Sequence, residues 1–449
     1  MGRLFGTDGV RGIANSELTC ELTMQIGRAA AMVLTDDAHK KPVVLIGKDT
    51  RKSSDMLESA LATGLCSVGA DVILVGVVPT PAVAYLVEKY SCDAGVMISA
   101  SHNPCEYNGI KIFQSTGYKL EDVLEEKIET IILDNAKKIP IKIGGDVGQI
   151  SFCHTAVNDY INHILSTTNM RYDGMKIAVD CANGSASVSA KQIFTSLGAD
   201  VLMLCDKPNG ININDNCGST HMENLQKFVI QNNCDLGFAF DGDADRMLAV
   251  DENGDIVDGD RIIAMCATQM KKENLLKNNT AVVTVMSNMG FFKYCDDNNI
   301  KCNKTAVGDR YVLESMLNNG YNIGGEQSGH IIFLDFANTG DGQLSAVQLL
   351  RAIKLEDKPF SSLAKRMEIY PQVLINVKVT NEGKAKYNND EEIIAAVQRA
   401  EMELAGNGRV LVRVSGTEPL IRVMLEGKDY ELIQKLGNEI ADVIKERLL

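Results

Sequence analysis

Ser101 stands where a hydroxyl group could take part in chemistry. It follows the apolar run 95–98, which has the length and composition of a buried strand, and Asn103-Pro104 then signals a turn. A hydroxyl at the end of a core strand is held firmly yet stays reachable, which suits a group that meets a substrate. For this stretch alone, a serine-rich junction between strand and turn is the simpler interpretation, so other stretches must decide.

Three carboxylates follow a second apolar run, residues 236–240. Asp241, Asp243 and Asp245 alternate with small residues, so a tight loop can bring their oxygens to one point. Converging carboxylates repel one another unless a cation neutralises them, and oxygen ligands alone favour Mg²⁺ or Ca²⁺. We predict a Mg²⁺ site, because three carboxylates leave coordination positions open for a phosphate oxygen.

An EF-hand is the alternative for this loop, since the three aspartates and Glu252 fall at positions 1, 3, 5 and 12 of such a loop. Arg246 occupies position 6, where an EF-hand requires glycine. Strand-like residues on both sides also disagree with the two helices of an EF-hand. A solvated acidic turn remains the other alternative.

A basic stretch near the C-terminus could bind phosphate. Arg413 and Arg422 flank the hydroxyls of Ser415 and Thr417 and a turn residue, Gly416. Bidentate guanidinium groups together with backbone N–H groups suit a phosphate dianion. On its own the pattern is equally typical of a hairpin turn.

A polar loop, Gly324 to His330, lies between two predicted strands, residues 321–323 and 331–334. Its glycines allow close approach of a ligand, and a plain hairpin needs none of its Glu, Gln, Ser and His side chains. Lys111 lies ten residues after Ser101 and could reach the same pocket. The chain has neither G-x-G-x-x-G nor G-x-x-x-x-G-K-[ST], so nucleotide chemistry has no support.

The elements that position these residues alternate between strand and helix. Apolar patterning predicts strands over 42–46, 70–77, 94–98, 175–179, 201–204, 236–240 and 281–286, and helices over 54–68, 81–90, 187–197 and 343–353. This alternation predicts three related α/β units. After Pro371, strands over 373–379, 409–414 and 420–425 and helices over 391–404 and 430–449 predict a smaller α+β unit with antiparallel strands.

Length and composition are consistent with several domains and a small ligand. The 449 residues exceed what a single core supports. A net charge of −14 repels polyanions, so we expect no nucleic-acid partner. There is no membrane-length apolar run or N-terminal leader, and twelve scattered cysteines without a C-x-x-C pair predict free thiols. We therefore expect a cytoplasmic protein.

Taken in order, these motifs resemble the α-D-phosphohexomutase superfamily over essentially the whole chain. The resemblance rests on five stretches: Thr7 to Gly12, Ile98 to Pro104, Asp241 to Arg246, Gly324 to His330, and Arg413 to Arg422. Gly-Glu-Gln-Ser-Gly-His and Val307 to Val312 are similar to the branch that acts on glucosamine phosphates. Cys105-Glu106-Tyr107 departs from that branch, which more often has an aromatic residue and an Asp there.

The resemblance implies three related α/β domains with mixed sheets and a C-terminal α+β domain, arranged in a heart shape around a central cleft. We expect a phosphoserine-bearing domain (1–150), a metal-binding domain (151–256), a sugar-recognition domain (257–368) and a phosphate-binding domain (369–449).

The resemblance also implies a role for each candidate residue. Ser101 would carry a phosphoryl group whose charge needs a neighbouring cation, and one Mg²⁺ per site would be bound by this phosphoserine and by Asp241, Asp243 and Asp245. Lys111 and His330 would be the acid and base, in either order. The remaining roles are stabilisation of developing charge by Arg11 and Arg246, binding of ring hydroxyls by Glu326 and Ser328, and binding of phosphate by Arg413, Ser415, Gly416, Thr417 and Arg422.

The implied reaction interconverts glucosamine-6-phosphate and glucosamine-1-phosphate through a bound glucosamine-1,6-bisphosphate, and it supplies UDP-N-acetylglucosamine and cell-wall precursors. The alternatives are a phosphoglucomutase/phosphomannomutase and a metal-dependent sugar-phosphate phosphohydrolase. A monomer or homodimer is expected, without nucleic-acid or membrane partners. A kinase or autophosphorylation would load Ser101 first.

Overall fold

The first sheet of the computed structural model positions Ser101. The structure describes residues 3–6, 8–34, 41–135, 138–415 and 419–449. The elements of this part are β1 (Phe5–Gly6), β2 (Gly9–Ile13), α1 (Cys20–Leu34), β3 (Val43–Lys48), α2 (Lys52–Ser67), β4 (Asp71–Val77), α3 (Thr80–Lys89), β5 (Ala94–Ile98), β6 (Tyr107–Gln114), α4 (Asp122–Leu133) and β7 (Ile150–Phe152). Their strand order is β1-β2-β6-β5-β3-β4-β7, with β3 parallel to β4 and β5 and with β6 antiparallel to β5 and β2.

Strand β6 was not expected from the sequence, yet it is central to the site. It buries six consecutive residues, 108–113, against both of its neighbours. Because β5 and β6 are antiparallel partners, residues 99–106 form the connection between them, and Lys111 pairs with Met97 across the two strands. The predicted boundary after residue 150 falls within β7, which pairs with β4.

The second sheet carries the carboxylates at the end of a buried strand. Its region comprises α5 (Ala156–Ser166), β8 (Lys176–Asp180), α6 (Ala190–Ser196), β9 (Asp200–Leu204), α7 (Glu223–Gln231), β10 (Leu236–Phe240), β11 (Met247–Asp251) and β12 (Ile256–Val257). The strand order is β12-β11-β10-β8-β9; β8 is parallel to β9 and β10, and β11 is antiparallel to β10. The aspartates 241, 243 and 245 thus lie in the hairpin between two strands, and not in a helix–loop–helix.

The third sheet has the order β14-β13-β15-β16. Its region comprises α8 (Gly259–Lys272), β13 (Thr280–Thr284), α9 (Met289–Asp297), β14 (Lys301–Thr305), α10 (Asp309–Asn319), β15 (Ile323–Gly325), β16 (Ile331–Phe333), α11 (Gly342–Glu356) and α12 (Phe360–Ala364). Gly324 and Gly325 belong to β15, although the sequence predicted that they lie in the polar loop. The turn therefore begins at Glu326.

The last sheet is antiparallel in the order β17-β19-β18. Its region comprises β17 (Gln372–Lys378), α13 (Asn381–Lys386), α14 (Glu391–Leu404), β18 (Gly408–Val414), β19 (Leu420–Gly427) and α15 (Tyr430–Leu448). Side chains from these strands and from α14 and α15 form one apolar core. The four sheets confirm the predicted fold class of three mixed α/β domains and an α+β domain.

The chain forms two compact units. One comprises Met1–Met286 and Ile300–Lys365, with the first three sheets, and the other comprises Ser287–Asn299 and Arg366–Leu449, with α9 and the last sheet. Within the described ranges, no helix is both long enough and apolar enough to span a membrane.

Candidate active site

Ser101 lies in a loop that is held by buried polar groups. Arg51 is fully buried, and its guanidinium donates to the carbonyl oxygens of Ser101 (2.9 Å) and Asn103 (2.8 Å). Asp49 accepts from the Arg51 side chain at 2.8 Å and from Ser99 Oγ at 2.7 Å. Ser101 itself has a φ of 51°, a left-handed conformation that costs a non-glycine residue free energy and persists only when its surroundings impose it.

The Ser101 hydroxyl points at the carboxylate loop. Its side chain is buried, and Oγ donates to Asp241 Oδ2 at 2.6 Å. The amide of Asn214 donates to the Ser101 carbonyl at 2.9 Å. A Cβ on Gly242 would lie 2.5 Å from that carbonyl oxygen, so only glycine permits this approach of the two loops. Ser101 and the aspartates therefore lie at one place in the structure.

The three aspartates are buried and converge. Their oxygens lie within 4.8 Å of one another. Burial and the charges of Asp245 and Asp243 raise the pKa of Asp241 well above its usual range. The Oδ1 atoms of Asp243 and Asp245 have no hydrogen-bond partner although they are buried. Unpartnered buried oxygens and an all-oxygen donor set fit a hard divalent cation, so this acidic triad can bind a metal ion.

Lys111 balances much of this negative charge. Its Nζ lies 2.8 Å from Asp243 Oδ2, 3.0 Å from Asp8 Oδ2 and 3.5 Å from Asp245 Oδ2. Burial lowers the pKa of Lys111, but the carboxylates of Asp243, Asp8 and Asp245 outweigh burial and raise it above its usual value. A base at this position needs the opposite shift, so the geometry favours a protonated Lys111.

His330 is buried at the end of the polar loop. Its Nδ1 is 3.7 Å from Asp245 Oδ2, and its Nε2 is 3.6 Å from Asp309 Oδ2. Burial lowers the pKa of His330, but the hydrogen bond and charge of Asp245 and the charge of Asp309 outweigh it and raise the pKa. The Gly340 N–H, 3.2 Å from Nε2, needs a lone pair there, so the neutral ring carries its proton on Nδ1, facing Asp245.

Arg11 and Arg246 also lie in this region. Arg11 pairs with Asp8. The Arg246 Nε is 3.9 Å from Asp245 Oδ1. Burial lowers the pKa of Arg246, while the carboxylates of Asp245, Asp241 and Glu326 raise it. Both positions carry a guanidinium group, which can stabilise an anion.

Several residues of this network were missed from the sequence. Lys119 Nζ lies 2.5 Å from Asp8 Oδ1 and 2.5 Å from Asp309 Oδ2. It therefore links the connection between β1 and β2 to the first residue of α10. Asp49 and Arg51, two polar residues directly after the apolar strand β3, repeat the pattern that pointed to Ser101 and could have been found in the same way. Lys119 offered no comparable signal. Thr7 lies outside the described residues.

A cavity of about 600 Å³ adjoins this network. Lys119, Asp309 and His330 line one part of it, and Arg310 and Asp122 line another. Of the predicted sugar-binding residues, Glu326 accepts from the Gly308 N–H at 3.2 Å, whereas the side chain of Ser328 is exposed. The cavity is large enough for a hexose phosphate.

The second unit brings its two predicted arginines together. Arg413 and Arg422 are directly opposite each other on β18 and β19, and burial together with the Arg422 charge lowers the pKa of Arg413. Such a pair of like charges favours binding of an anion. The Ser415 N–H donates to the Leu420 carbonyl at 2.9 Å. The predicted Gly416 and Thr417 lie outside the described residues.

Four family models match successive parts of the chain. They are described as phosphoglucomutase/phosphomannomutase alpha/beta/alpha domains I, II and III and C-terminal domain, and they match residues 2–138, 158–254, 258–370 and 374–443 respectively. Together with the four sheets and the serine beside the acidic triad, they define the class: the protein is a phosphohexomutase, an isomerase.

Among curated proteins, the phosphoglucosamine mutase of Acetivibrio thermocellus is 55% identical over 448 residues, which cover 100% of both chains. The chain therefore belongs to the phosphoglucosamine mutase family.

Solved structures share the fold. A phosphoglucomutase/phosphomannomutase family protein from Burkholderia thailandensis superposes with a TM-score of 0.83 at 22% identity and covers 100% of this chain and 98% of its own. The N-acetylphosphoglucosamine mutase of Aspergillus fumigatus, solved with GlcNAc-6P and magnesium, has a TM-score of 0.69 at 15% identity, with 100% and 96% covered.

Proposed function

We propose that this mutase interconverts glucosamine-6-phosphate and glucosamine-1-phosphate through a phosphoserine at Ser101 and a bound glucosamine-1,6-bisphosphate. The observation that carries this proposal is the buried Ser101 hydroxyl, 2.6 Å from Asp241, beside two carboxylate oxygens that have no partner. A nucleophile held against a cation site is the arrangement that reversible phosphoryl transfer requires.

Asp241, Asp243, Asp245 and a phosphate oxygen on Ser101 would hold Mg²⁺, which supplies Lewis-acid withdrawal of charge from the transferring group when bound. The chain's own cations act on the same charge. Lys111 is already protonated between carboxylates. Arg11 and Arg246 add two further positive charges that stabilise the equatorial oxygens of the transferring phosphoryl group.

In the first transfer, the sugar 1-hydroxyl attacks the phosphorus on Ser101, so a new O–P bond forms as the Ser101 Oγ–P bond breaks. We assign His330 as the acceptor of the hydroxyl proton, because the carboxylates of Asp245 and Asp309 beside its ring would stabilise the imidazolium. The proton would go to Nε2, in place of the hydrogen bond from the Gly340 N–H. We assign Lys111 as the donor to the departing Ser101 oxygen. In the second transfer the 6-phosphate returns to Ser101, and the two proton transfers reverse.

The intermediate must turn end for end, so both ends of the sugar use the same contacts. We assign ring-hydroxyl binding to Glu326 and Ser328, and phosphate binding to Ser415 with Arg413 and Arg422. The proposal also assigns Gly416 and Thr417, which lie outside the described residues, to phosphate binding. The pairing of Arg413 with Arg422 on β18 and β19 supports it, since a planar guanidinium group can donate two parallel N–H bonds to two oxygens of a phosphate dianion.

We keep the four domain roles as part of this proposal: phosphoserine (1–150), metal (151–256), sugar (257–368) and phosphate (369–449). The product would supply UDP-N-acetylglucosamine and cell-wall precursors. All twelve cysteines are free thiols, which supports a reducing compartment such as the cytoplasm. Loading of Ser101 by a kinase or by autophosphorylation belongs to the same proposal.

The direct test measures the phosphoryl group on Ser101. Intact-mass analysis of active protein is expected to show one added phosphoryl group, and Ser101→Ala is expected to lose it together with all but about one-thousandth of turnover. Ser59→Ala, at an exposed serine of α2, is the matched control. Active protein that never carries the added mass would overturn the phosphoserine mechanism.

A second experiment separates this function from its alternatives. Turnover of glucosamine-6-phosphate, glucose-6-phosphate and mannose-6-phosphate is compared with a trace of the matching bisphosphate present. A clear preference for the amino sugar is expected, with no release of inorganic phosphate. Equal or better use of the neutral sugars would indicate a phosphoglucomutase/phosphomannomutase, and stoichiometric phosphate release would indicate a phosphohydrolase.

A further inference from the structure

We propose that Asp180, Cys205 and Cys217 form a second metal site, which takes a thiophilic divalent cation such as Zn²⁺. This cluster lies in the second sheet region and is separate from the aspartates that face Ser101. It offers two sulfur donors and one oxygen donor, whereas the aspartates 241, 243 and 245 offer oxygen alone. Soft and hard ligand sets select different ions.

The donor atoms are already close enough for one ion. All three lie within 4.8 Å of one another. Zinc–sulfur and zinc–oxygen bonds are about 2.3 and 2.1 Å long, so two donors on one tetrahedral ion lie about 3.5 to 3.8 Å apart. Small rotations of the three side chains would bring the donor atoms from separations of up to 4.8 Å to this distance. Asp180 and Cys217 are buried while Cys205 is partly exposed, which provides an entry path and leaves one coordination position for water.

The backbone holds these donors in place. Asp180 is the last residue of β8 and Cys205 follows the parallel neighbour β9, so both lie at the carboxyl edge of the sheet. The Asp180 oxygens accept from the Ala182 N–H at 2.8 Å and from the Gly218 N–H at 3.0 Å. Outer hydrogen bonds of this kind orient a ligating carboxylate. The Asp180 carboxylate also shares a hydrogen bond with the Cys205 thiol, whose proton would leave when a metal ion binds.

The local charges favour a cation. Cys217 shares a hydrogen bond with Cys205, and the carboxylates of Asp180 and Asp215 lie near it. Asp206 adds a further negative charge in the same region. A divalent cation would compensate the negative charge of these carboxylates and of two bound thiolates. The Asn183 amide, 3.9 Å from Cys217 Sγ, is placed to donate to that sulfur.

The two thiols enclose a segment that supports the serine loop. Asn214, between them in the chain, donates to the Ser101 and Asn103 carbonyls at 2.9 and 3.0 Å. The Gly210 carbonyl of the same segment accepts from the Lys52 N–H at 2.8 Å. An ion on Cys205 and Cys217 therefore fixes both ends of residues 206–216, and this segment in turn holds the backbone of Ser101.

The test uses Co²⁺ as a spectroscopic probe on the full chain under saturating Mg²⁺, which occupies the oxygen site. We expect a thiolate-to-cobalt charge-transfer band that saturates at one equivalent and is displaced by Zn²⁺. Cys205→Ser should weaken binding at least about 100-fold, more than outer-shell changes cost. Cys234→Ala, a buried cysteine of the same region outside the cluster, should bind as wild type does. A missing band, or a band that survives Cys205→Ser, would overturn the proposal.

A second measurement covers Cys217, whose buried side chain makes substitution a risk to folding. Zn²⁺ is expected to slow alkylation of Cys205 and Cys217 in the wild-type chain and to slow amide hydrogen exchange over 206–216. Asp180→Asn should reduce both effects. Equal alkylation rates with and without Zn²⁺, or two thiols lost to a disulfide in a protein that binds no zinc, would contradict the site.

Discussion

Lys111 shows how a single buried residue can depend on its partners. Burial alone would remove its charge, yet carboxylates at 2.8 and 3.0 Å keep it protonated. The same ion pairs compensate the negative charges of Asp8 and Asp243, whose burial without a partner would be unfavourable. Lys111 thus serves the stability of the site as well as its proposed proton transfer.

Replacement of Lys111 should destabilise the protein when no metal ion is bound. We expect Lys111→Met to lower the free energy of unfolding by about 3–5 kcal/mol, because it leaves buried carboxylates without a partner. Urea denaturation measures the change, and saturating Mg²⁺ should restore part of it. Lys127→Met, at an exposed lysine of α4, is the control. A loss no larger than in this control would show that Lys111 does not balance these carboxylates.

The proposed role of His330 predicts a pH dependence of the reaction, whose sign follows from the environment of the ring. The carboxylates of Asp245 and Asp309 raise its pKa above the usual value of about 6.5. A base must be neutral, so kcat/KM should fall as the pH drops through this raised pKa. In His330→Gln this limb should disappear, and the rate should fall about 10²–10⁴-fold.

The pH profile of kcat/KM measures both effects. His221→Gln, at an exposed histidine, should keep the wild-type profile. An acid limb that persists in His330→Gln would assign the proton transfer to another group.

At the scale of elements, the site depends on two loops that follow two buried strands, β5 and β10. Both strands are buried at all five residues. Their loops approach so closely that Gly242 has no room for a side chain beside the Ser101 carbonyl. The strands fix the start of each loop, and Arg51 and Asn214 fix the backbone between them.

A methyl group at this contact should separate the loops. In Gly242→Ala the new Cβ would lie 2.5 Å from the Ser101 carbonyl oxygen and 2.8 Å from the Asn214 amide. Overpacking of this kind costs about 1–3 kcal/mol, and a displacement near 1 Å can cost about 100-fold in rate. We expect turnover to fall at least about 10-fold, as measured by steady-state kinetics.

Gly145→Ala is the matched control, because a Cβ there has nothing within 4 Å. It should leave turnover and the unfolding midpoint unchanged. If Gly242→Ala behaves in the same way, the close approach of the loops is not needed for function.

In the whole molecule, the candidate site residues are divided between two compact units. The serine, the acidic triad, Lys111 and His330 belong to the first unit, whereas Arg413 and Arg422 belong to the second. The proposed function assigns reaction to the first unit and phosphate binding to the second. Substitutions in the second unit should therefore act mainly on substrate affinity.

Arg422→Gln tests this division. Loss of a charged hydrogen bond to phosphate costs about 1.5–3 kcal/mol, so the KM for the sugar phosphate should rise roughly 10- to 150-fold while the free energy of unfolding changes little. Arg399→Gln, at an exposed arginine of α14, should leave KM unchanged. An unchanged KM in Arg422→Gln would remove this residue from the proposed phosphate site.

Local patterns along the chain were sufficient to predict the elements and the types of chemistry. Strands β5 and β10 and helix α14 begin and end at the predicted residues, because an apolar run or a helical period is a local property of the chain. The choice of Ser101 and of the aspartates depended on the same local pattern, polar residues directly after an apolar strand. The fold class and the resemblance to the phosphohexomutases followed from the order of these patterns.

The pairing of the charges depends on residues that are distant in the chain and that folding brings together. Lys111 meets Asp243 across 132 positions of the chain, and His330 meets Asp245 and Asp309 from another loop. Protonation depends on burial and on charges only a few ångströms away, so no local pattern could say that Lys111 stays protonated or that the pKa of His330 is raised. No local pattern could predict the cluster of Asp180, Cys205 and Cys217 either. The parallel pairing of β8 with β9 and the loop that carries Cys217 bring these residues together.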